Sequence, residues 1–159
     1  MQVREIMTPD VEHLTHNDTA TTAARKMRDI EVGALPVMDD RGQLAGIVTD
    51  RDIVVRSVAE EADPSQVKVG EIMTGGAVSC PEEQSVEEAA RTMERQQIRR
   101  LVVVDDDNIA TGMVALADIA VKPADEELAA SWLRRAARIA RAGVEPARRA
   151  AHRPSSHAP

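Results

Sequence analysis

The 159 residues suffice for one compact domain or for two small lobes that share a core. With one Trp and neither Phe nor Tyr, the core must be built from Val, Ile, Leu, Met and Ala, and a pocket in it would hold a flat ring by aliphatic contact instead of aromatic stacking. The formal charge of −7 is uneven: residues 1–121 carry 12 basic against 23 acidic side chains, a balance of −11, whereas residues 122–159 carry 8 against 4, so the body repels nucleic acid and anionic lipid and any polyanion role is left to the tail.

Glu5-Ile6-Met7-Thr8 opens the chain and returns as Glu71-Ile72-Met73-Thr74. Held at that offset of 66 without a gap, residues 3–55 show 18 identities in 53 positions, which is an internal duplication. In the first copy an extended piece, Val11–Thr15, leads into a helix whose Ala20, Ala23, Ala24 and Met27 fall at i, i+3, i+4 and i+7. Strands at Ala34–Met38 and Leu44–Thr49 flank the acidic turn Asp39-Asp40-Arg41-Gly42, and a helix near Asp50–Ala59 closes the unit. Glu60–Val67 reads as a linker. The second copy repeats the order: an extended piece over Ala77–Cys80, then a helix carrying Val86, Ala89, Ala90 and Met93. The start of that helix is marked by the capping-box pair Ser85 and Glu88. Strands at Arg100–Val104 and Ala110–Ala115 follow around Asp105-Asp106-Asp107-Asn108, and a last helix spans Leu116–Val121.

The expected fold is therefore mixed α/β (α+β): tandem β-α-β-β-α repeats over residues 1–59 and 68–121, with 60–67 between them. One such unit buries too little apolar surface alone, so two should pack about a pseudo-twofold axis. Beyond them, the segment 122–142 holds a predicted helix, Ala124–Arg141. It is acidic at its start and basic at its end, in the sense of the helix dipole, and carries the sole Trp, Trp132, on an apolar stripe. That stripe is a candidate anchor onto the body, a second copy or a client, with the acidic body favoured. Residues 143–159, rich in Ala, Arg, Pro and Ser, are expected to be disordered.

The residues Ile6-Met7-Thr8, Gly33-Ala34-Leu35-Pro36-Val37 and, above all, Gly46-Ile47-Val48-Thr49-Asp50-Arg51-Asp52 carry a resemblance. The second repeat adds Ile98-Arg99-Arg100-Leu101-Val102-Val103-Val104-Asp105 and Gly112-Met113-Val114. Over residues 1–121 the chain resembles the CBS-domain pair, or Bateman module, in its small stand-alone form. The resemblance implies a regulatory module, commonly dimeric, that binds AMP, ADP, ATP or a related adenosyl ligand between its repeats, requires no cofactor and is not an enzyme. It also implies roles for particular residues. Thr49 and Asp52 would meet the ribose. The adenine would lie against Gly46, Ile47 and Val48 and against Ala77 and Val78 of the other repeat. Arg99 and Arg100 would meet the phosphates.

The residue chemistry agrees: a carboxylate can accept from a ribose diol, and guanidinium forks suit phosphate oxygens. A Thr followed three residues later by an acid is equally an N-cap arrangement, so the pair can serve the helix start instead. The repeats also differ where this matters. Ala115 stands at the position of Thr49, and Gly33-Ala34 stand at the positions of Arg99-Arg100. A pocket combining one repeat's motif with the other's arginines is then complete only at Thr49, Asp52, Arg99 and Arg100. Asp118 marks a weak second site.

Other chemistry is set aside. His13 and His16 beside Glu12 and Asp18 lack helical metal-ligand spacing and a Cys partner, so no metal site is expected. Cys80 has neither a disulfide partner nor an activating neighbour and reads as a small core residue, which fits a reducing compartment. No leader and no membrane-length apolar run stand out, so the expected location is cytoplasmic. Expected partners are an adenine nucleotide, a second copy of the chain and an unknown client protein, with nucleic acid disfavoured and no membrane. The alternative is a ligand-free structural or interaction module that uses the fold for dimerisation and client binding.

Overall fold

The computed structural model describes residues 1–121 and, in the C-terminal segment, residues 130, 131, 133, 134, 137 and 138, all of them helical. The remainder of the expected helix, with Trp132, and the tail 143–159 lie outside the described residues.

A 3-10 turn, Val3–Glu5, precedes strand β1 (Thr8–Pro9), which is followed by β2 (Leu14–Thr15), α1 (Ala20–Asp29), β3 (Ala34–Met38), β4 (Leu44–Thr49) and α2 (Asp50–Arg56). The second half runs α3 (Val69–Ile72), β5 (Thr74–Gly75), β6 (Ser79–Pro81), α4 (Val86–Gln96), β7 (Arg100–Val104), β8 (Ala110–Ala115) and α5 (Leu116–Val121). The four long strands and α5 fall where the sequence places them. α2 is shorter than expected: it ends at Ser57, whose side chain is fully buried, and a separate 3-10 turn spans Val58–Glu60.

Two four-stranded sheets form, ordered β2-β3-β4-β5 and β1-β8-β7-β6. Each takes an edge strand from the opening of the other repeat. β5 pairs with β4 through Gly46↔Gly75 and Ile47↔Thr74, and β1 pairs with β8 through Thr8↔Met113 and Pro9↔Gly112. The exchange extends to the cores. Val69 and Ile72 are buried with Leu14, Leu35, Val37 and Val48, while Val3 and Ile6 are buried with Val86, Leu101, Val103 and Val114.

Period-2 alternation explains why the middle strands are apolar on both faces. Leu35 and Val37 point into their own repeat's core, as do Leu101 and Val103. Their neighbours Ala34, Met38, Val102 and Val104, on the opposite faces of the strands, are buried too but belong to neither cluster. Each hairpin turn is held by its first acid. Asp39 Oδ1 accepts from the N–H groups of Arg41 (2.8 Å) and Gln43 (2.9 Å), and Asp105 Oδ1 accepts from those of Asp107 (3.0 Å) and Ile109 (2.9 Å). The two turns also meet, the N–H of Leu44 donating to the carbonyl of Asn108 at 2.9 Å.

Candidate functional site

On β4, alternation separates the motif into two sets. Val48 is fully buried among Leu35, Val37 and Ile72, so its side chain belongs to the core and only its backbone is left to meet an adenine. Gly46 shares that face and has a packing reason of its own: a Cβ there would lie 2.6 Å from the carbonyl oxygen of Thr74 and 2.9 Å from Met73 Sδ. Gly112 stands in the same relation to Thr8 and Met7. The recurrent Ile-Met-Thr and the recurrent Gly are thus two sides of one contact, a close passage of an edge strand that only glycine admits. Ile47 and Thr49, opposite Pro36 and Ala34 in the ladder, point the other way, toward the second repeat.

Thr49 and Asp52 form a complete capping box at the start of α2. The N–H of Asp52 donates to Thr49 Oγ1 at 3.1 Å, and Asp52 Oδ2 accepts from Thr49 N at 2.9 Å and Thr49 Oγ1 at 2.8 Å. Asp52 Oδ1 faces Arg56 Nη1 at 3.5 Å, and that same nitrogen donates to the carbonyls of Ile72 (2.7 Å) and Met73 (3.2 Å). Arg56 therefore ties α2 to the segment that crosses Gly46. A carboxylate has about four acceptor positions, so Asp52 can keep its cap and still accept from a diol. In the second repeat only half of this survives: Asp118 Oδ2 accepts from Ala115 N at 2.7 Å, with no hydroxyl beside it.

From β5 the chain turns at Gly76 (φ +64), whose N–H donates to the carbonyl of Ala45 at 3.2 Å. It then passes through half-buried Ala77 and Val78 to β6, and the Val78 carbonyl accepts from Val102 N at 3.3 Å. This stretch runs from the edge of β4 to β6, and Val78 packs against the second repeat's core.

Arg100 opens β7 in register with Ala115, yet its guanidinium reaches the first repeat. A Cβ placed on Gly33 would lie 3.8 Å from Arg100 Nη2 and 3.1 Å from Asp50 Oδ2. Since Gly33 precedes the Ala34↔Thr49 pair and its carbonyl accepts from Asp50 N, the guanidinium stands beside the Thr49–Asp52 turn. Both arginines are exposed; the Arg100 guanidinium reaches Gly33 of the first repeat, while the Arg99 carbonyl accepts from Leu116 N of its own repeat at 2.9 Å. Asp50, Gly33 and Arg56 were not among the expected site residues. Arg56 was legible as the i+4 partner of Asp52; Asp50 carried no signal beyond its place in the motif.

Burial pushes the Cys80 thiol up to about 11, as expected of a core cysteine. His13 is exposed, and His16 packs with its ring 3.2 Å from where a Cβ of Gly70 would lie. Among the described residues no group of three or more His, Cys, Asp or Glu could hold a metal ion, and no helix is long and apolar enough to cross a membrane.

Two sheets related by a duplicated motif, with one repeat's arginine at the other's strand-to-helix turn, define a paired-repeat module. The CBS-domain model matches residues 3–58 and 69–124, and the chain belongs to the CBS-domain family. It is 40% identical over 133 residues to the uncharacterized protein YlbB of Bacillus subtilis, spanning 83% of this chain and 88% of that one. It is also 36% identical over 117 residues to hypoxic response protein 1 of Mycobacterium tuberculosis, spanning 74% and 81%. The crystal structure of that protein, with two coordinated zinc ions, superposes with a TM-score of 0.69 at 35% identity, over 77% of this chain and 100% of that one. CBSX2 in complex with AMP superposes with a TM-score of 0.63 at 27% identity, over 74% and 91%.

Proposed function

We propose that the chain is a regulatory module that binds an adenine nucleotide in the cleft between its repeats, one per chain, and signals its occupancy to a client protein without catalysing a reaction. The observation that carries this is Arg100, a residue of the second repeat, at the Thr49–Asp52 turn of the first. The guanidinium from one repeat thus lies near Gly33, next to the turn that carries a ribose-competent carboxylate in the other, and the pseudo-symmetric position lacks the hydroxyl at Ala115 and the charge at Gly33 and Ala34. The family relation to CBSX2, solved with AMP, supports the ligand class. Exposed Val54, Val55 and Val58 on α2 and the turn after it form an apolar stripe that we assign to a second copy, giving a homodimer.

Calorimetric titration with AMP, ADP, ATP, S-adenosylmethionine and NAD tests the reading. Saturable binding near one site per chain is expected, lost in Asp52→Ala and nearly unchanged in Asp118→Ala, with thermal melts verifying that both variants fold. Equal effects of the two substitutions reject the one-site asymmetry. The closed Thr49–Asp52–Arg56 network favours a second reading, in which the motif serves only to fasten α2 and the module is a ligand-free interaction scaffold. No heat with any of these compounds, from folded protein, selects it.

A further inference from the structure

We infer that Asp50 sets the number of phosphates the cleft accepts, so that the site takes an adenosyl ligand with a single phosphate and discriminates against di- and triphosphates. The inference rests on the nucleotide-binding reading above and narrows its ligand class.

Gly33 has no side chain, and the point its Cβ would occupy lies 3.1 Å from Asp50 Oδ2 and 3.8 Å from Arg100 Nη2. A carboxylate from the first repeat and a guanidinium from the second therefore border the same few ångströms. The Asp50 carboxylate is held in place, because its Oδ1 accepts from Arg51 N at 2.7 Å, which leaves Oδ2 on the Gly33 side. A phosphate meeting the fork of Arg100 finds a strong, oriented donor. A second or third phosphate extending past that fork meets Asp50 at once.

Among the described residues the neighbouring cations are Arg99, Arg56 and Arg51, and Arg99 is exposed, its carbonyl turned to Leu116 of its own repeat. Arg56 is engaged by Asp52 and by the carbonyls of Ile72 and Met73. Arg51 adjoins Asp50 on α2, and successive helical positions do not share a face. Residues 1–121 as a whole carry a formal −11, so the surroundings deepen the repulsion as negative charge is added.

The test is calorimetric titration of the full chain with AMP, ADP and ATP, for wild type and Asp50→Asn, at low and at high salt. Asn keeps an acceptor for Arg51 N and removes the charge. Wild type is expected to bind AMP most tightly and ATP about tenfold more weakly, the size of effect one exposed charge has at close range between the bulk-water and near-surface limits. Asp50→Asn should improve ATP binding about tenfold and AMP binding less, and added salt should narrow the wild-type gap. ATP binding as tightly as AMP to wild type, or Asp50→Asn shifting both ligands equally, overturns the role of Asp50 and leaves the nucleotide reading intact. Absence of saturable binding by any of the three overturns both.

Discussion

A methyl group added at Gly46 would press on a backbone carbonyl, that of Thr74 at 2.6 Å, and cannot be accommodated without lifting β5 from β4. Gly75, its ladder partner, has nothing within 4 Å of an added Cβ and no positive φ. Gly46→Ala should therefore destabilise the chain by about 1–3 kcal/mol, read as a fall in Tm of several degrees, while Gly75→Ala leaves the melt within about a degree of wild type. Equal melting of the two variants would remove the packing account of the motif's glycine. At this scale the site was legible only in part. Thr49, Asp52 and Arg100 stand out in the sequence because the duplicated motif and its resemblance to the CBS pair single them out, and the structure brings Arg100 to Gly33 beside that motif. The motif string alone did not distinguish Val48, which faces the interior, from Ile47, which faces the other repeat; that distinction needs the strand's phase. Asp50 carries no signal in the sequence, because one exposed acid within a motif looks like any other until its position beside Gly33 is known.

At the scale of elements, the long strands could be read to the residue because each combines β-branched, apolar runs with a turn whose first Asp caps two N–H groups. The edge strands β1 and β5 could not. Two residues show no periodicity, and what makes Thr8–Pro9 and Thr74–Gly75 extended is the partner strand across the repeat boundary. Helix starts carry a similar asymmetry. α2 begins with the full Thr49–Asp52 box, whereas Ala115 offers α5 only the Asp118 half. Thr49→Ala should cost about 1 kcal/mol and Ala115→Thr should recover a similar amount, each measured by denaturant unfolding. The two substitutions combined should return close to the wild-type midpoint, since the caps lie at separate helices and share no partner. A neutral Thr49→Ala would mean that the box seen here contributes nothing to α2.

For the whole molecule, the boundary between repeats in sequence is not the boundary between folded units. The core formed by Leu14, Ala20, Met27, Leu35 and Ile53 is completed by Val69 and Ile72, and the core formed by Val86, Met93, Leu101 and Ile119 is completed by Val3 and Ile6. A cut at the linker therefore strips each half of an edge strand and two buried side chains, and leaves it with apolar residues that have no core to enter. Residues 1–59 alone should show no cooperative unfolding transition. Residues 10–76, of similar length, contain the whole sheet β2-β3-β4-β5 and its complete cluster. Even so, a chain this short is marginal, and its inter-sheet face, Ala34, Pro36 and Met38, would be bare. It should therefore fold with concentration-dependent stability, pairing with a second copy through that bare face. Circular dichroism melts of the two fragments over a range of concentrations decide the point. A cooperative transition in residues 1–59 would show that the exchanged strands are dispensable ornaments; its absence there and presence in residues 10–76 would show that the exchange is what binds two weak repeats into one molecule, and hence what holds the cleft between them at a fixed width.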